Sequence, residues 1–237
     1  MAELGVEGAD GYRAHLEARP EEWRHLEVLC RVTISRFRRD RGVFGVLEEE
    51  VLPELAGRAR QREGVLRAWS AGCASGEEPY TLVIGWRHRV EEPVAPDVRL
   101  EVEATDVDEH LLERARRARY DPSSLRELSE GDRDRAFVPV EGTEQLDLRP
   151  PYRKPVRFTA GDVRRESPEG PFHLVLCRNL VFTYFDGPAR DECLDRFRSV
   201  LAPEGVLVVG AHEGLPDDAD DFVRWRSGVP VYRWGRR

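Results

Sequence analysis

From residue 65 onward, short apolar runs alternate with helix-like segments, which predicts an α/β fold on a mainly parallel sheet. Three observations carry that prediction. VLRAWSA, RLEVEATD, VRFTAGD and FHLVLCRN are β-rich runs of strand length. The helix-like stretches EEPYTLVIGWRHRV, EHLLERARRARY and ARDECLDRFRSVL follow the first, second and fourth of them. The joins are made of small or turn-forming residues, GCASG being the clearest. Helices of this length imply crossover connections, and therefore a parallel sheet covered on both faces.

In chain order, residues 1–60 read as a short helical segment and residues 61–237 as the sheet domain. Within GYRAHLEARPEEWRHLEVLCRV, Leu16, Trp23, Leu26, Val28 and Leu29 fall at mixed helical spacing, and Pro20-Glu21-Glu22 reads as a first turn. Two helices fit there. A third, from about Gly42 to Arg60, carries Val43, Leu47, Val51 and Leu55 as one apolar stripe, with Pro53 expected to bend or break it. Asp108 is placed to cap the helix that begins at DEHLLERA. Residues 121–155 do not fit the alternation and read as a helix followed by a small insertion, a β-hairpin. GVLVVGA is a further strand, and FVRWRSGVPVYRW reads as two short strands around Ser227-Gly228 that close the sheet antiparallel.

Composition narrows the function classes. The 237 residues carry 37 Lys and Arg against 45 Asp and Glu, a formal charge of −8, and 40% are hydrophobic, enough for a full core. The acidic balance gives no general attraction to nucleic acid or to anionic membranes. No apolar run is long enough to span a bilayer, and the start MAELGVEGADGYR lacks the pattern of a signal peptide, so a cytoplasmic protein without membrane insertion is expected. Cys30, Cys73, Cys177 and Cys193 are too scattered for a zinc site or a disulfide framework, so reduced thiols and no metal are expected. Lys154 is the only lysine, a uniform preference for Arg that we read as a base-composition bias.

The loop Ser70-Ala71-Gly72-Cys73-Ala74-Ser75-Gly76 follows the first strand of the sheet, where a ligand is expected in this architecture. It is neither G-x-G-x-x-G nor a P-loop. Glu77 and Glu78 stand at the start of the next helix, where a bound phosphate needs positive potential. They suit instead a ligand with an ammonium group, such as the amino-acid end of S-adenosylmethionine, or serve only the helix dipole. Asp106 ends the second strand, placed to accept hydrogen bonds from ribose hydroxyls. Asp162, after VRFTAG, is a candidate for an adenine amino group or a plain loop aspartate.

Taken together and in this order, WSAGCASGEEPYTL, ATDVDEHLLERARRARY and LVLCRNLVFTYFD resemble the CheR-like chemotaxis-receptor methyltransferase family. TISRFRRDRGVFGVLEEEVLPEL extends the resemblance upstream, so that it spans most of residues 12–237. The resemblance implies a class I, Rossmann-like methyltransferase domain with a preceding helical segment and a small inserted β-subdomain. It implies S-adenosylmethionine as cofactor, S-adenosylhomocysteine as product, and glutamate carboxylates of an acidic, receptor-like protein as substrate.

By matching positions, the resemblance places Ser35 and Arg39 at the cofactor's methionine end, Glu78 or Glu77 at its ammonium and Asp106 at the ribose. Ala71, Gly72 and Val107 line the pocket, Asp162 and Val163 frame the adenine, and Asn179 and Leu180 close the pocket after the fourth strand. Tyr184 lies close to the transferred methyl, and the planar fork of Arg39 is also suited to orient a carboxylate, either the substrate's or the cofactor's. Arg36, Arg38 and Arg41 either recruit the acidic substrate or form a solvated face. The chain has one more residue between Asn179 and Tyr184 than the family's common form. Two other readings stand beside this one: a methyltransferase of the same fold acting on a small molecule, and a non-catalytic S-adenosylmethionine-binding regulatory protein or scaffold. The sequence does not set the oligomeric state.

Overall fold

The computed structural model describes residues 8–19 and 35–235, in two units divided between Ile34 and Ser35. In the first unit, α1 (Gly8–Ala18) is helical and Leu16 is buried. Pro20, Trp23, Leu26, Val28, Leu29 and Cys30 lie outside the described residues, and so does the second helix expected there.

The second unit opens with α2 (Arg41–Val46), a π-helical turn (Leu47–Val51) and α3 (Leu52–Arg60). Val43, Leu47, Val51 and Leu55 are all buried, as their four-residue spacing requires. Pro53 does not end the helix. It stands in the first turn of α3, and the π-turn before it re-phases the hydrogen-bond ladder that proline would interrupt.

Seven strands form the main sheet: β1 (Val65–Ala71), β2 (Arg99–Asp106), β6 (Val156–Ala160), β7 (Phe172–Leu176), β8 (Leu201–Val208), β9 (Phe222–Arg224) and β10 (Val231–Trp234). Their order is β6-β2-β1-β7-β8-β10-β9. Pairings from β6 to β8 are parallel, and β10 runs antiparallel to both β8 and β9. The hairpin joining the last two strands turns at Gly228, whose φ of 79° suits glycine.

Strand alternation sends the two sheet faces into different cores. Leu66, Ala68, Val102, Leu174, Leu176 and Val206 join the core that also holds Phe44, Leu52 and Leu55 of the leading helices and Leu82, Val83 and Trp86 of α4 (Glu77–Trp86). Trp69, Val175, Leu207 and Val209 join Leu194 and Phe197 of α9 (Gly187–Val200).

Cover on both faces holds only at the centre of the sheet. The β6–β7 crossover, residues 161–171, contains no helix. Beside it Arg67, Glu103, Thr105, Arg157 and Thr159 line an open hollow of about 340 Å³. The alternate positions of β2 and β6 on this side are polar, as suits a sheet face without a covering helix.

The stretch before β6 builds a second, antiparallel sheet from β3 (Arg119–Tyr120), β4 (Phe137–Pro139) and β5 (Leu146–Leu148), ordered β3-β5-β4. With it come α5 (Glu109–Arg117), α6 (Glu130–Ala136) and α7 (Pro150–Arg153). Tyr120 and Phe137 meet Phe37 edge-on, with ring centroids 4.8 and 5.2 Å away.

A buried polar chain ties the small sheet to the rest. Asp132 of α6 accepts from Arg89 Nη2 at 2.7 Å and lies 2.8 Å from His88 Nδ1, while His88 Nε2 lies 2.6 Å from the Tyr152 hydroxyl. Arg89 also meets the buried Glu48, which accepts a two-pronged pair from Arg38. Lys154, just after α7, is exposed.

Candidate active site

The site forms at the C-terminal ends of β1, β2, β6 and β7. After β1 the chain must turn sharply into α4, and Gly72, Ala74 and Gly76 all take left-handed backbone conformations, with φ of 79°, 47° and 89°. A Cβ at Gly72 would press on the Leu180 side chain, and the positive φ suits glycine. The Gly72 and Cys73 amides donate to the Thr105 carbonyl at 2.8 and 3.0 Å, pinning the loop to the end of β2.

Asp106 organises two loops. One of its carboxylate oxygens accepts the Ala74 amide at 2.8 Å and the other the Asp108 amide at 3.0 Å. Each oxygen keeps a second lone pair for a ligand hydroxyl. Asp108 instead caps α5, accepting from the His110 and Leu111 amides. A cleft of about 160 Å³ opens here, lined by Gly72, Asp106, Val107, Asp162, Val163 and Leu180 together with Gly161, Arg164 and Phe185. Val107 is 54% exposed and presents an apolar wall.

Six residues singled out from the sequence therefore share one cleft. Asp162 comes with its carboxylate already engaged: Arg164 donates to both oxygens, and this guanidinium holds the carboxyl below its ordinary range. Ala71 is fully buried at the end of β1.

Glu78 and Arg39 form a second cluster through a residue the sequence reading passed over. Arg178 donates from Nη1 to Glu78 at 3.1 Å and from Nη2 to Asp40 at 2.6 Å and to the Arg39 carbonyl at 2.9 Å. Ser70 Oγ donates to the other oxygen of Glu78 at 2.8 Å. Burial pushes the Glu78 carboxyl above its ordinary value, against the opposing pull of Arg178 and Ser70. A lone Arg closing the apolar run FHLVLC was the available signal, since a buried guanidinium demands partners.

The structure separates the two glutamates. Glu77 is buried and takes the Ser75 hydroxyl on both oxygens, at 2.9 Å, whereas Glu78 faces Arg178. The arginine turn is divided as well: Arg38 is committed to Glu48, while Arg41 reaches the Arg126 carbonyl at 3.4 Å. Ser35, the first described residue of this unit, is half-buried.

Asn179 holds a φ of 55°, and its amide donates to Glu213 at 2.8 Å. Glu213 also takes the Gly210 amide and the Thr183 hydroxyl, clamping the loop after β7 to the end of β8. Tyr184 ends the short helix α8 (Val181–Tyr184) and is 65% exposed. The aromatic ring lining the cleft belongs to Phe185, one residue on.

Numbered by appearance, the main strands run 3-2-1-4-5-7-6, with the seventh antiparallel. That order, with a glycine loop after the first strand and a carboxylate ending the second, defines the class as Rossmann-like methyltransferases. Within that class the chain belongs to the CheR family: the description "CheR methyltransferase, SAM binding domain" matches residues 33–229. It is an S-adenosylmethionine-dependent methyltransferase.

Relatives agree with this placement. A chemotaxis protein methyltransferase of Listeria monocytogenes is 36% identical over 198 residues, covering 81% of this chain and 69% of that protein. One from Salmonella typhimurium is 31% identical over 225 residues, covering 92% and 74%. Among solved structures, the glycopeptide N-methyltransferase MtfA with sinefungin overlays at a TM-score of 0.38 and 15% identity, covering 66% of this chain and 47% of that one. The amino pentose methyltransferase CalS10 of Micromonospora echinaspora overlays at 0.36 and 20%, covering 68% and 50%. The chain thus spans about half the length of those two, and its fold class rests on its own strand order.

Among the described residues no helix is long and apolar enough to cross a membrane. Cys73, Cys177 and Cys193 are free and buried.

Proposed function

We propose that the protein methylates glutamate carboxylates of an acidic, receptor-like protein. S-adenosylmethionine supplies, when bound, a methyl group made electrophilic by its sulfonium. The residues present fit that cofactor: Asp106 and Val107 for the ribose and its surroundings, Val163 and Phe185 as apolar walls, and Glu78 for the ammonium. At about 160 Å³ the cleft is smaller than the ~300 Å³ at which pockets for whole drug-sized ligands begin. It suits the adenosine half, with the amino-acid end extending toward Glu78.

The observation that carries the substrate reading is the Arg178 bridge, which seats the turn bearing Arg36, Arg39 and Arg41 against Glu78. A carboxylate acceptor is already ionised at neutral pH and needs no general base. What it needs is orientation and loss of water, and a planar guanidinium such as that of Arg39 supplies the first. Exposed Arg126 adds a cation beside Arg41 on the same rim. The names of the relatives, chemotaxis protein methyltransferases, support a protein of a chemotaxis system as the acceptor.

The test is to incubate the protein with methyl-labelled S-adenosylmethionine and the cytoplasmic part of a chemotaxis-type receptor. Label that mild base releases as methanol is the expected result, since only esters behave so. Label that resists base would replace the glutamate reading with an N-methyl or ether product.

A further inference from the structure

Arg178 lies two residues beyond β7, and only 3% of its side chain is exposed. Its guanidinium carbon sits 5.0 Å from the Phe44 ring centroid, so it is packed as well as paired. Two carboxylates, Asp40 and Glu78, share this one cation. The trio carries a net charge of −1, the complement of a single ammonium. The same guanidinium holds the Arg39 carbonyl, and so grips the backbone of the turn that presents Arg39.

We propose that Arg178 is a positioning residue with two separable tasks: it keeps Glu78 ready as an ionised acceptor for the cofactor's ammonium, and it locks the Arg39 turn that orients the substrate carboxylate. The inference deepens the methyltransferase reading and rests on it. The first task rests mainly on charge, with one hydrogen bond to Glu78 that an ammonium can also donate, whereas the second needs a planar fork that reaches Glu78, Asp40 and a carbonyl at once. Lysine keeps the charge and loses the fork. One substitution therefore divides the two tasks.

The surroundings of Glu78 give the sign of the pH effect. Ser70 approaches from β1, Arg178 from beyond β7 and Glu213 from beyond β8; Cys73, Cys177 and Glu77 stand nearby, and Asp40 lies across the guanidinium. Burial and Glu213 push the Glu78 carboxyl up, while Arg178 and Ser70 pull it down. Without Arg178 the carboxyl titrates at higher pH. Only the ionised form attracts an ammonium, so affinity falls about tenfold for each pH unit below that midpoint.

The experiment is calorimetric titration of S-adenosylhomocysteine into the full chain from about pH 5.5 to 8.5, with circular dichroism to verify folding, and methyl transfer measured alongside. For Arg178→Gln the affinity curve is expected to shift to higher pH, and in Arg178→Gln with Glu78→Gln to become flat. Arg178→Lys is expected to keep the wild-type curve while turnover falls at least about tenfold, the penalty of a 1.4 kcal/mol misplacement. Asp40→Asn, which keeps a residue that tolerates a φ of 61°, removes the competing carboxylate and moves the curve to lower pH. This variant carries the test if Arg178→Gln does not fold.

Unmoved curves in Arg178→Gln or in Asp40→Asn, or wild-type turnover in Arg178→Lys, would overturn the proposal. Wild-type protein that binds no S-adenosylhomocysteine at any pH would instead bring down the cofactor reading itself, and this inference with it.

Discussion

Asp106 and Asp108 stand two positions apart and have different work. Asp106 binds two loop amides and faces the cleft, whereas Asp108 faces the first turn of α5. Asp106→Ala should weaken S-adenosylhomocysteine binding by at least about tenfold in calorimetry, because charge-assisted bonds to a ligand are lost; unchanged affinity would remove the ribose assignment. The two neighbouring aromatics separate as sharply. Phe185→Ala should weaken binding several-fold, and Tyr184→Ala should leave it unchanged, since Tyr184 stands exposed while Phe185 lines the cleft. A loss with Tyr184→Ala and none with Phe185→Ala would reverse that placement. At this scale the carboxylates were legible in the sequence because strand ends announce themselves. Arg178 was not, because its partners Asp40 and Glu78 lie about 140 and 100 positions away and meet it only in the fold.

Local pattern made the elements more readable than the contacts between them. β1 and β2 coincide with VLRAWSA and RLEVEATD, and the closing hairpin falls around Ser227-Gly228. The Asp108 cap also follows from sequence, and its worth is measurable. Asp108→Ala should lower stability by about 1 kcal/mol in urea titration while leaving S-adenosylhomocysteine affinity intact. Loss of binding in place of stability would mean that Asp108, not Asp106, holds the ligand. Two features escaped local reading. The π-turn before Pro53 is a response to packing that no propensity encodes, and the crossover 161–171, for which no helix is read in the sequence, leaves one face of the sheet edge open where cover on both faces is expected.

For the whole molecule, the small sheet depends on a charged anchor. Burial raises the Asp132 carboxyl, yet the bonds from His88, Arg89 and Ser129 outweigh burial and hold it well below its ordinary range. A carboxyl depressed in the folded state contributes stability above its unfolded value, near pH 4, and loses it as the pH falls toward the folded value. Wild-type protein should therefore lose stability between about pH 5 and pH 3 more steeply than Asp132→Asn. Equal slopes in denaturant titrations would show that Asp132 is not the group responsible. At neutral pH, Asp132→Ala should cost about 1 to 3 kcal/mol, because buried His88 loses its partner while the part-exposed Arg89 keeps Glu48. The −8 charge was legible from composition; this concentration of charge inside the molecule was not, since His88, Asp132 and Tyr152 belong to separate segments.

Lys154 has a practical consequence. As the sole lysine, exposed directly after α7 and two residues from Tyr152, it offers amine-reactive dyes a single side chain. A fluorophore attached there rides on the anchor of the small sheet, away from the Asp106 cleft and the Arg178 bridge. Its anisotropy then reports binding of a macromolecule as a slowing of tumbling, whereas a small molecule in the cleft leaves the tumbling unchanged.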